Sequence, residues 1–156
     1  MRLFNEERGQ AAVIFAISLT AIVSVAALAL DVGRARMVQA EQAAALDAAA
    51  TAGAQAVVPE TDSSGNPYLT INTTEAQAMA DQVYQANITS MDKPGAAWTP
   101  GALNVQVTQG PGGCTVSTSA TAQVQTFFSG AVGWASSIAV HGTSTAHPHS
   151  LGVPCQ

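Results

Sequence analysis

The sequence has few charged and few aromatic residues for its length. Charged side chains make up 10% of the 156 residues and aromatic side chains 5%, so the chain lacks the charged surface of a free cytosolic enzyme. Lys93 is the one lysine, and the net charge is −5. Because phosphate binding needs clustered Lys and Arg, this balance argues against a nucleic-acid partner.

Catalytic signatures are also missing. The sequence contains no phosphate-binding loop and no GxSxG, HExxH or CxxC motif, so we expect no enzyme activity, no catalytic residue, no cofactor and no metal. His147 and His149 lie near Cys155, and imidazole and thiolate are zinc ligands. Their spacing fits no usual zinc pattern, so we favour a solvated tail. We interpret His141 as a strand surface residue.

One long segment, residues 11–30, contains no charge, proline or glycine. As a helix, its twenty residues span about 30 Å, the hydrocarbon thickness of a bilayer. The polar residues Ser18, Thr20 and Ser24 can donate hydrogen bonds to a carbonyl one turn earlier, which makes them tolerable in lipid. The segment therefore predicts a retained membrane-spanning helix. The alternative is a buried core helix.

The flanks of this segment bear on its orientation. Residues 1–10 form a short polar head, and two arginines lie on each side of the span, so the positive-inside rule is nearly balanced. Both cysteines lie in the long C-terminal part, which suits a compartment where disulfides form. We therefore expect a cytoplasmic head and an extracytoplasmic α+β domain over residues 59–156.

Residues 31–58 continue the helix beyond the span. Asp31 marks the edge of the membrane, because a carboxylate near the bilayer centre costs about 2.5–3.5 kcal/mol. Strong helix formers follow, and nothing stops the helix before Pro59. The pattern predicts one helix over about 11–58. Its thin outer half, poor in large apolar groups, is expected to pack against a sheet or against other copies of itself.

The rest of the chain predicts a small domain. Residues 59–67 and 91–101 have the composition of loops. Between them, Asn72 and Glu75 form a capping-box pattern that starts a second helix.

Alternation of apolar and polar residues in the last third predicts a small antiparallel three-stranded sheet, with strands over residues 103–108, 114–125 and 136–146. In the second strand, one face contains Cys114, Val116, Ala120, Ala122 and Val124. A short helical turn precedes the third strand, and we expect its aromatic residues Phe127, Phe128 and Trp134 to cover one end of the core.

The strand order also bears on the two cysteines. If the second and third strands pair, Cys114 and Ala146 lie at the same edge of the sheet. The tail that carries Cys155 leaves from that edge, so a Cys114–Cys155 disulfide is geometrically reasonable and would tie down the tail. The alternative is two unpaired thiols.

Small residues recur every four positions along the span: Ala12, Ala16, Thr20 and Ser24. Such a stripe lets helix backbones approach closely in lipid, where packing drives association. The stripe is either a helix-packing face or simply a result of how common Ala and Ser are in this segment, and the sequence favours neither alternative.

Several stretches of the sequence resemble one family. They are residues 8–16 (RGQAAVIFA), 28–34 (LALDVGR), 43–50 (AAALDAAA), 124–128 (VQTFF) and 136–146 (SSIAVHGTSTA). Together they resemble TadE/TadG-like proteins of the bacterial Tad (tight adherence, Flp-type) pilus assembly machinery. The resemblance implies a single-pass inner-membrane protein with a pilin-like first helix and an extracytoplasmic domain. It also implies a role as a minor pilin or pseudopilin that supports an adhesive pilus.

The resemblance also bears on processing. TadE-type relatives are cut by a prepilin peptidase after a glycine that lies five residues before a glutamate. Gly9 matches this glycine and Gln10 would begin the mature chain, but the fifth residue after Gly9 is Ile14. The sequence is therefore nearer the TadG-like type. Without the glutamate, two alternatives stay open. Either the chain is not cleaved, or it occupies a position with no subunit ahead of it, such as a filament tip.

The expected function follows from this resemblance. It implies a structural component of pilus assembly whose partners are other Tad proteins and pilins, inner-membrane lipid and further copies of itself. The main alternative is a membrane-tethered binding protein of the cell envelope that does not enter a filament.

Overall fold

The computed structural model describes residues 3–91, 97–110, 113–131, 133, 135–149 and 153–155. In chain order the elements are helix α1 (Leu3–Gly53), strands β1 (Val57–Thr61) and β2 (Pro67–Ile71), helix α2 (Thr73–Met91), strands β3 (Trp98–Thr99), β4 (Asn104–Thr108) and β5 (Thr115–Gln125), short helix α3 (Phe128–Ala131) and strand β6 (Ser137–Ala146). This is the predicted α+β class.

α1 is one unbroken helix of 51 residues, about 76 Å long at 1.5 Å per residue. The predicted continuity through Asp31 is confirmed, but both predicted ends are wrong. The helix already includes residues 3–10, and it ends at Gly53 rather than near residue 58.

The early end of α1 has a local cause. The amides of Gln55 and Ala56 bond to carbonyls three residues back, at 3.1 and 3.2 Å, which tightens the last turn. The β-branched pair Val57 and Val58 then begins a strand. Strand pairing therefore overrides the helix propensity of the alanine-rich segment.

The outer half of α1 packs on the main sheet, as predicted, and also on α2. Its buried positions recur at helical spacing: Asp31, Ala35, Val38, Gln42, Ala45, Leu46, Ala49, Ala50 and Gly53. Glycines permit the close approach. A Cβ on Gly53 would lie 3.1 Å from the Ala76 carbonyl oxygen, and one on Gly142 would lie 2.7 Å from Cδ1 of Leu46.

β5 is the centre of a four-stranded antiparallel sheet. β6 pairs along one of its edges, whereas β4 and β3 pair with different parts of the other. The predicted meander β4–β5–β6 is present, and Val116 lies opposite Ala146. The predicted total of three strands is wrong, because the described residues form six strands in two sheets.

The second sheet is the β1–β2 hairpin, where the sequence predicts a loop. Its prolines and its turn residues suggest a loop, but both strands are edge strands, which tolerate proline. The turn is closed by Asp62, whose Oδ1 accepts hydrogen bonds from the amides of Ser64 and Asn66, each at 2.8 Å. Hydrogen bonds from Asn66 hold the pKa of Asp62 below its ordinary value.

Gln109 connects this hairpin to the main sheet. Its Oε1 accepts from the Ile71 amide and its Nε2 donates to the Ile71 carbonyl, both at 2.9 Å. One side-chain amide therefore satisfies both backbone groups of a residue at the end of β2.

The C-terminal segment makes a second connection. A disulfide joins Cys114 and Cys155, whose Cα atoms are 5.4 Å apart. Beside it, the Leu69 amide donates to the Pro154 carbonyl at 2.9 Å. The disulfide that the strand order makes reasonable therefore ties the tail to the start of β5, and the Leu69 hydrogen bond ties the tail to the hairpin.

α2 begins at the predicted capping pattern, where the Glu75 amide donates to Oδ1 of Asn72 at 3.2 Å. The helix buries one face against α1, with Ala76, Ala80, Tyr84 and Ile88 inside. The Tyr84 hydroxyl donates to the Gly101 carbonyl at 3.2 Å, and burial raises the pKa of Tyr84.

The inward face of β5 contains one polar residue that sequence reasoning misses. The five apolar residues predicted for this face are buried. Thr118 is buried among them, and its hydroxyl donates to the Leu46 carbonyl at 2.9 Å. A second buried polar side chain, Gln42, has no hydrogen-bond partner for its amide among the described residues.

Candidate anchoring site

The inner half of α1, residues 9–30, is exposed at every position except Ala27, which is half-buried. Its large apolar side chains are between 43% and 70% exposed. Only 6% of its most apolar 18-residue window is buried, which argues against the alternative of a core helix. Among the described residues, α1 is the one helix long and apolar enough to cross a membrane. Such a helix is suited to membrane anchoring.

Two of the three hydroxyls of this segment bond within the helix, as predicted. Thr20 Oγ1 donates to the Ala16 carbonyl and Ser24 Oγ donates to the Thr20 carbonyl, both at 2.8 Å. These bonds satisfy both donors without water, so they fit an apolar environment.

The stripe of small residues, Ala12, Ala16, Thr20 and Ser24, lies on the exposed surface. Gly9 and Gln10, at the predicted processing position, are also exposed and lie within the helix. The packing role of the stripe and the processing at Gly9 stay predictions.

Asp31 joins α1 to the segment that follows β5, directly beyond the apolar half. Its Oδ1 accepts from the Phe127 amide at 3.1 Å, and its Oδ2 accepts from the Phe128 and Ser129 amides at 3.2 and 2.9 Å. The Ser129 hydroxyl also donates to Oδ2, at 2.6 Å. Because the first N–H groups of a helix lack intrahelical partners, Asp31 satisfies donors at the start of α3.

The electrostatics of this junction favour the carboxylate. The hydroxyl and amide of Ser129 are the main causes that hold the pKa of Asp31 below its ordinary value of 3.8, while burial acts in the opposite direction. The Arg34 guanidinium carbon lies 4.4 Å from the centre of the Phe127 ring, a cation–π contact. The junction therefore brings an anionic, a cationic and an aromatic group together at the end of the apolar segment.

The aromatic residues of this junction do not cover the core as predicted. α3 is the predicted helical turn, but Phe127 is 55% and Phe128 46% exposed. Their backbone amides bond to Asp31, and the Phe127 ring lies against Arg34, so neither ring enters the core. Trp134, the third aromatic of that prediction, lies outside the described residues.

Sequence reasoning places Asp31 at the membrane edge but does not find its partners. Ser129 is 98 positions away, and nothing local marks the pair. The available signal was weak: a carboxylate in a segment otherwise predicted to pack, and a serine at the start of a short helical turn.

The other singled-out residues make local contacts. Ser144 donates to Asp47 at 3.1 Å, and His141 lies on the exposed face of β6, 3.1 Å from the Thr121 hydroxyl. Because the Cys155 sulfur is in the disulfide, it cannot join His147 and His149 as a thiolate ligand. The part of the chain that the structure describes contains no group of three or more metal-ligating residues.

Comparison with known proteins gives one result for α1. Neither the curated proteins nor the solved structures provide a match to this chain. A family model described as "Putative Flp pilus-assembly TadE/G-like" matches residues 9–56. The match begins where the exposed apolar half begins, includes Asp31, and ends three residues after α1. Residues 9–56, less than half of the chain, therefore match the TadE/G-like family model, in agreement with the resemblance seen in the sequence.

Proposed function

We propose that this protein is a non-catalytic, membrane-anchored structural component of Tad (Flp-type) pilus assembly, of the minor-pilin or pseudopilin type. The observation that carries the proposal is α1. One half of this 51-residue helix is apolar and exposed, whereas the other half is built into a folded domain. The family match covers both halves.

In this proposal the helix crosses the inner membrane once. Residues 1–10 lie in the cytoplasm, and residues 59–156 lie outside it. The Cys114–Cys155 disulfide supports this orientation, because structural disulfides persist in oxidising compartments. The partners are other pilus proteins, which contact the domain or pack laterally against the small-residue stripe of α1.

Shearing of the cell surface tests the filament role. We expect the protein in the sheared pilus fraction of cells that carry the complete assembly machinery, and in the membrane fraction of cells that lack the pilus motor. A protein that stays with the membrane in both strains would instead be the alternative, an envelope tether that never enters a filament.

Processing is tested with two matched glycine variants. A Cβ added at Gly9 or at Gly33 meets no atom within 4 Å, so neither Gly9→Ala nor Gly33→Ala disturbs packing. If the chain is cut after Gly9, N-terminal sequencing gives a start at Gln10 for the wild type and for Gly33→Ala. Gly9→Ala then slows the cut. A wild-type chain that starts at Met1 makes this protein a permanent membrane component.

A further inference from the structure

The position of Phe127 and Phe128 relative to the apolar helix points to a surface that the family match does not cover. Both rings are about half exposed. Both backbone amides bond to Asp31, the first residue after the apolar run. Two phenylalanines therefore lie at the surface where the domain meets the end of the membrane-spanning segment.

Their depth can be placed from helix geometry. A bilayer has a hydrocarbon core of about 30 Å within a total of about 40–45 Å, which leaves about 5–8 Å of headgroup layer on each side. Asp31 and Arg34 lie about 1.5 and 6 Å beyond Leu30 along the helix axis. Both contact Phe127. Because side chains lean toward the N-terminus of a helix, their contacts lie nearer the lipid than their own Cα atoms do.

The chemistry of the patch matches that layer. Trp and Tyr are enriched at membrane interfaces, Phe is among the apolar residues that interfacial segments bury at the boundary of headgroups and acyl chains, and long basic side chains keep their charge in the polar layer. Arg34 lies against the Phe127 ring, and a second basic side chain, Arg36, is exposed two residues further along α1. The exposed large apolar residues of α1 run from Val13 to Leu30 and continue at Val32, which is next to Asp31.

We propose that Phe127 and Phe128 insert into the outer lipid headgroup layer, so that the domain rests on the bilayer as a second contact beside the spanning helix. This proposal depends on the membrane anchoring in the proposed function. It adds the lipid interface as a partner of the domain itself. Asp31 then has a positioning role, because it holds the backbone of both phenylalanines at this depth.

Spin labels on the full chain in vesicles of phosphatidylcholine and phosphatidylglycerol test this contact. The two native cysteines form the disulfide, and the described residues contain no free thiol, so an introduced cysteine can be labelled selectively. Gly130→Cys is the reporter, because an added Cβ there makes only ordinary contacts, at 3.7 Å or more, and both phenylalanines are kept. Gly110→Cys, in the open turn at the other end of β5, is the matched distal control. Leu19→Cys reports on the middle of the span.

The readout is the relative accessibility of each label to oxygen and to a water-soluble nickel complex. We expect an oxygen-to-nickel ratio several-fold higher at position 130 than at position 110, and the highest ratio at position 19. Adding Phe127→Ser and Phe128→Ser to the reporter should lower the ratio at 130 toward that at 110.

Equal ratios at 130 and 110, with a lipid-buried label at 19, would overturn the proposal while leaving the membrane anchor intact. The exposed rings would then be a surface for a protein partner. A ratio at 130 that does not respond to loss of both phenylalanines would overturn their role. A water-exposed label at 19 would overturn the anchoring and, with it, this contact.

Discussion

The two halves of α1 have similar backbones and opposite surroundings. Between residues 9 and 30, large apolar side chains such as Leu19 are exposed, and the hydroxyls bond back to their own helix. Between residues 31 and 53, four of the nine buried positions are alanine, and the largest side chain inside is Leu46. In this one continuous helix, the first half therefore exposes large apolar side chains, whereas the second half buries mainly small side chains against the domain.

This difference in side-chain size and exposure between the two halves has a physical reason. A helix that packs on a sheet and a second helix at close range needs small residues at the contact, as the approach of Gly53 and Gly142 shows. A helix that faces hydrocarbon has no such limit and gains from large apolar area. Asp31 marks the change, because it is the first residue whose side chain bonds to the domain.

The largest expected effect comes from removing the residue at which the two halves meet. Asp31→Asn removes the charge that four hydrogen bonds share, so we expect the amides of residues 127–129 to lose protection from hydrogen exchange. In the wild type this contribution to stability is complete above the ordinary pKa of 3.8 and is lost as the pH falls through the lowered pKa of the folded state. The variant should lack this acid dependence. Exchange measured by mass spectrometry at neutral and acidic pH checks both points.

Asp47→Asn is the control for that experiment. Asp47 lies on the same helix, is exposed, and accepts one hydrogen bond, from Ser144. If both variants change exchange at residues 127–129 equally, the effect is not specific to the Asp31 junction.

Replacing one leucine by alanine in each half of α1 tests whether only the second half packs on the domain. Leu46 is fully buried, so Leu46→Ala should lower the free energy of unfolding of the domain by about 2–5 kcal/mol through lost burial and a cavity. Leu19→Ala removes the same atoms from a side chain that is 50% exposed, and should leave domain unfolding unchanged. Thermal unfolding in detergent micelles measures both. Equal losses would show that the apolar half also packs on the domain.

Reduction of the disulfide tests the end of β5 opposite the Asp31 junction. Cys114 and Cys155 are 41 positions apart, and closing a loop of this length is worth about 2–4 kcal/mol. We expect a reducing agent to lower domain stability by that amount and to expose the β1–β2 hairpin first, because the tail bonds to Leu69. The double variant Cys114→Ala and Cys155→Ala should start at the lower value and not respond to the agent. A response of that variant would point to another target.

A stabilising change is expected at the weakest contact of the packed half. Gln42 is fully buried, and its amide has no hydrogen-bond partner in the described part of the chain. Burial of such a group costs about 1–3 kcal/mol. Gln42→Met keeps a similar shape without that cost, so the free energy of unfolding should rise by about this amount in chemical denaturation. Gln39→Met, at an exposed position one turn earlier, is the control, because it removes only an exposed hydrogen bond from Arg36. A loss of stability in the Gln42 variant would mean that the amide is satisfied in the protein.

Sequence patterns predict the parts of this fold that depend on local chemistry. The continuity of α1, the Asn72 cap and the meander around β5 follow from helix propensity, side-chain capping and strict alternation. The β1–β2 hairpin was missed because its prolines and turn residues look like a loop, and its pairing to Gln109 is not local.

The contacts of Asp31 with the segment after β5 are also not predicted from the sequence, because the residues involved are far apart in the chain. Asp31 could be placed at the membrane edge from its position alone, but its bonds to Phe127 and Ser129 depend on how β5 returns the chain to α1. The sequence predicts that both phenylalanines cover one end of the core, but they are about half exposed because their backbone bonds to Asp31.

The smallest expected effect is at Thr118, which the alternation pattern omits from the inward face. Its hydroxyl donates to the Leu46 carbonyl, which is also within α1 and can keep its helical partner, so Thr118→Val should cost about 0.5–1.5 kcal/mol. Thr143→Val, on the exposed face of β6, gives the effect of the same change without a buried bond. The difference between the two variants in thermal unfolding isolates the contribution of this bond. If Thr118→Val is as stable as Thr143→Val, packing alone fixes the helix on the sheet.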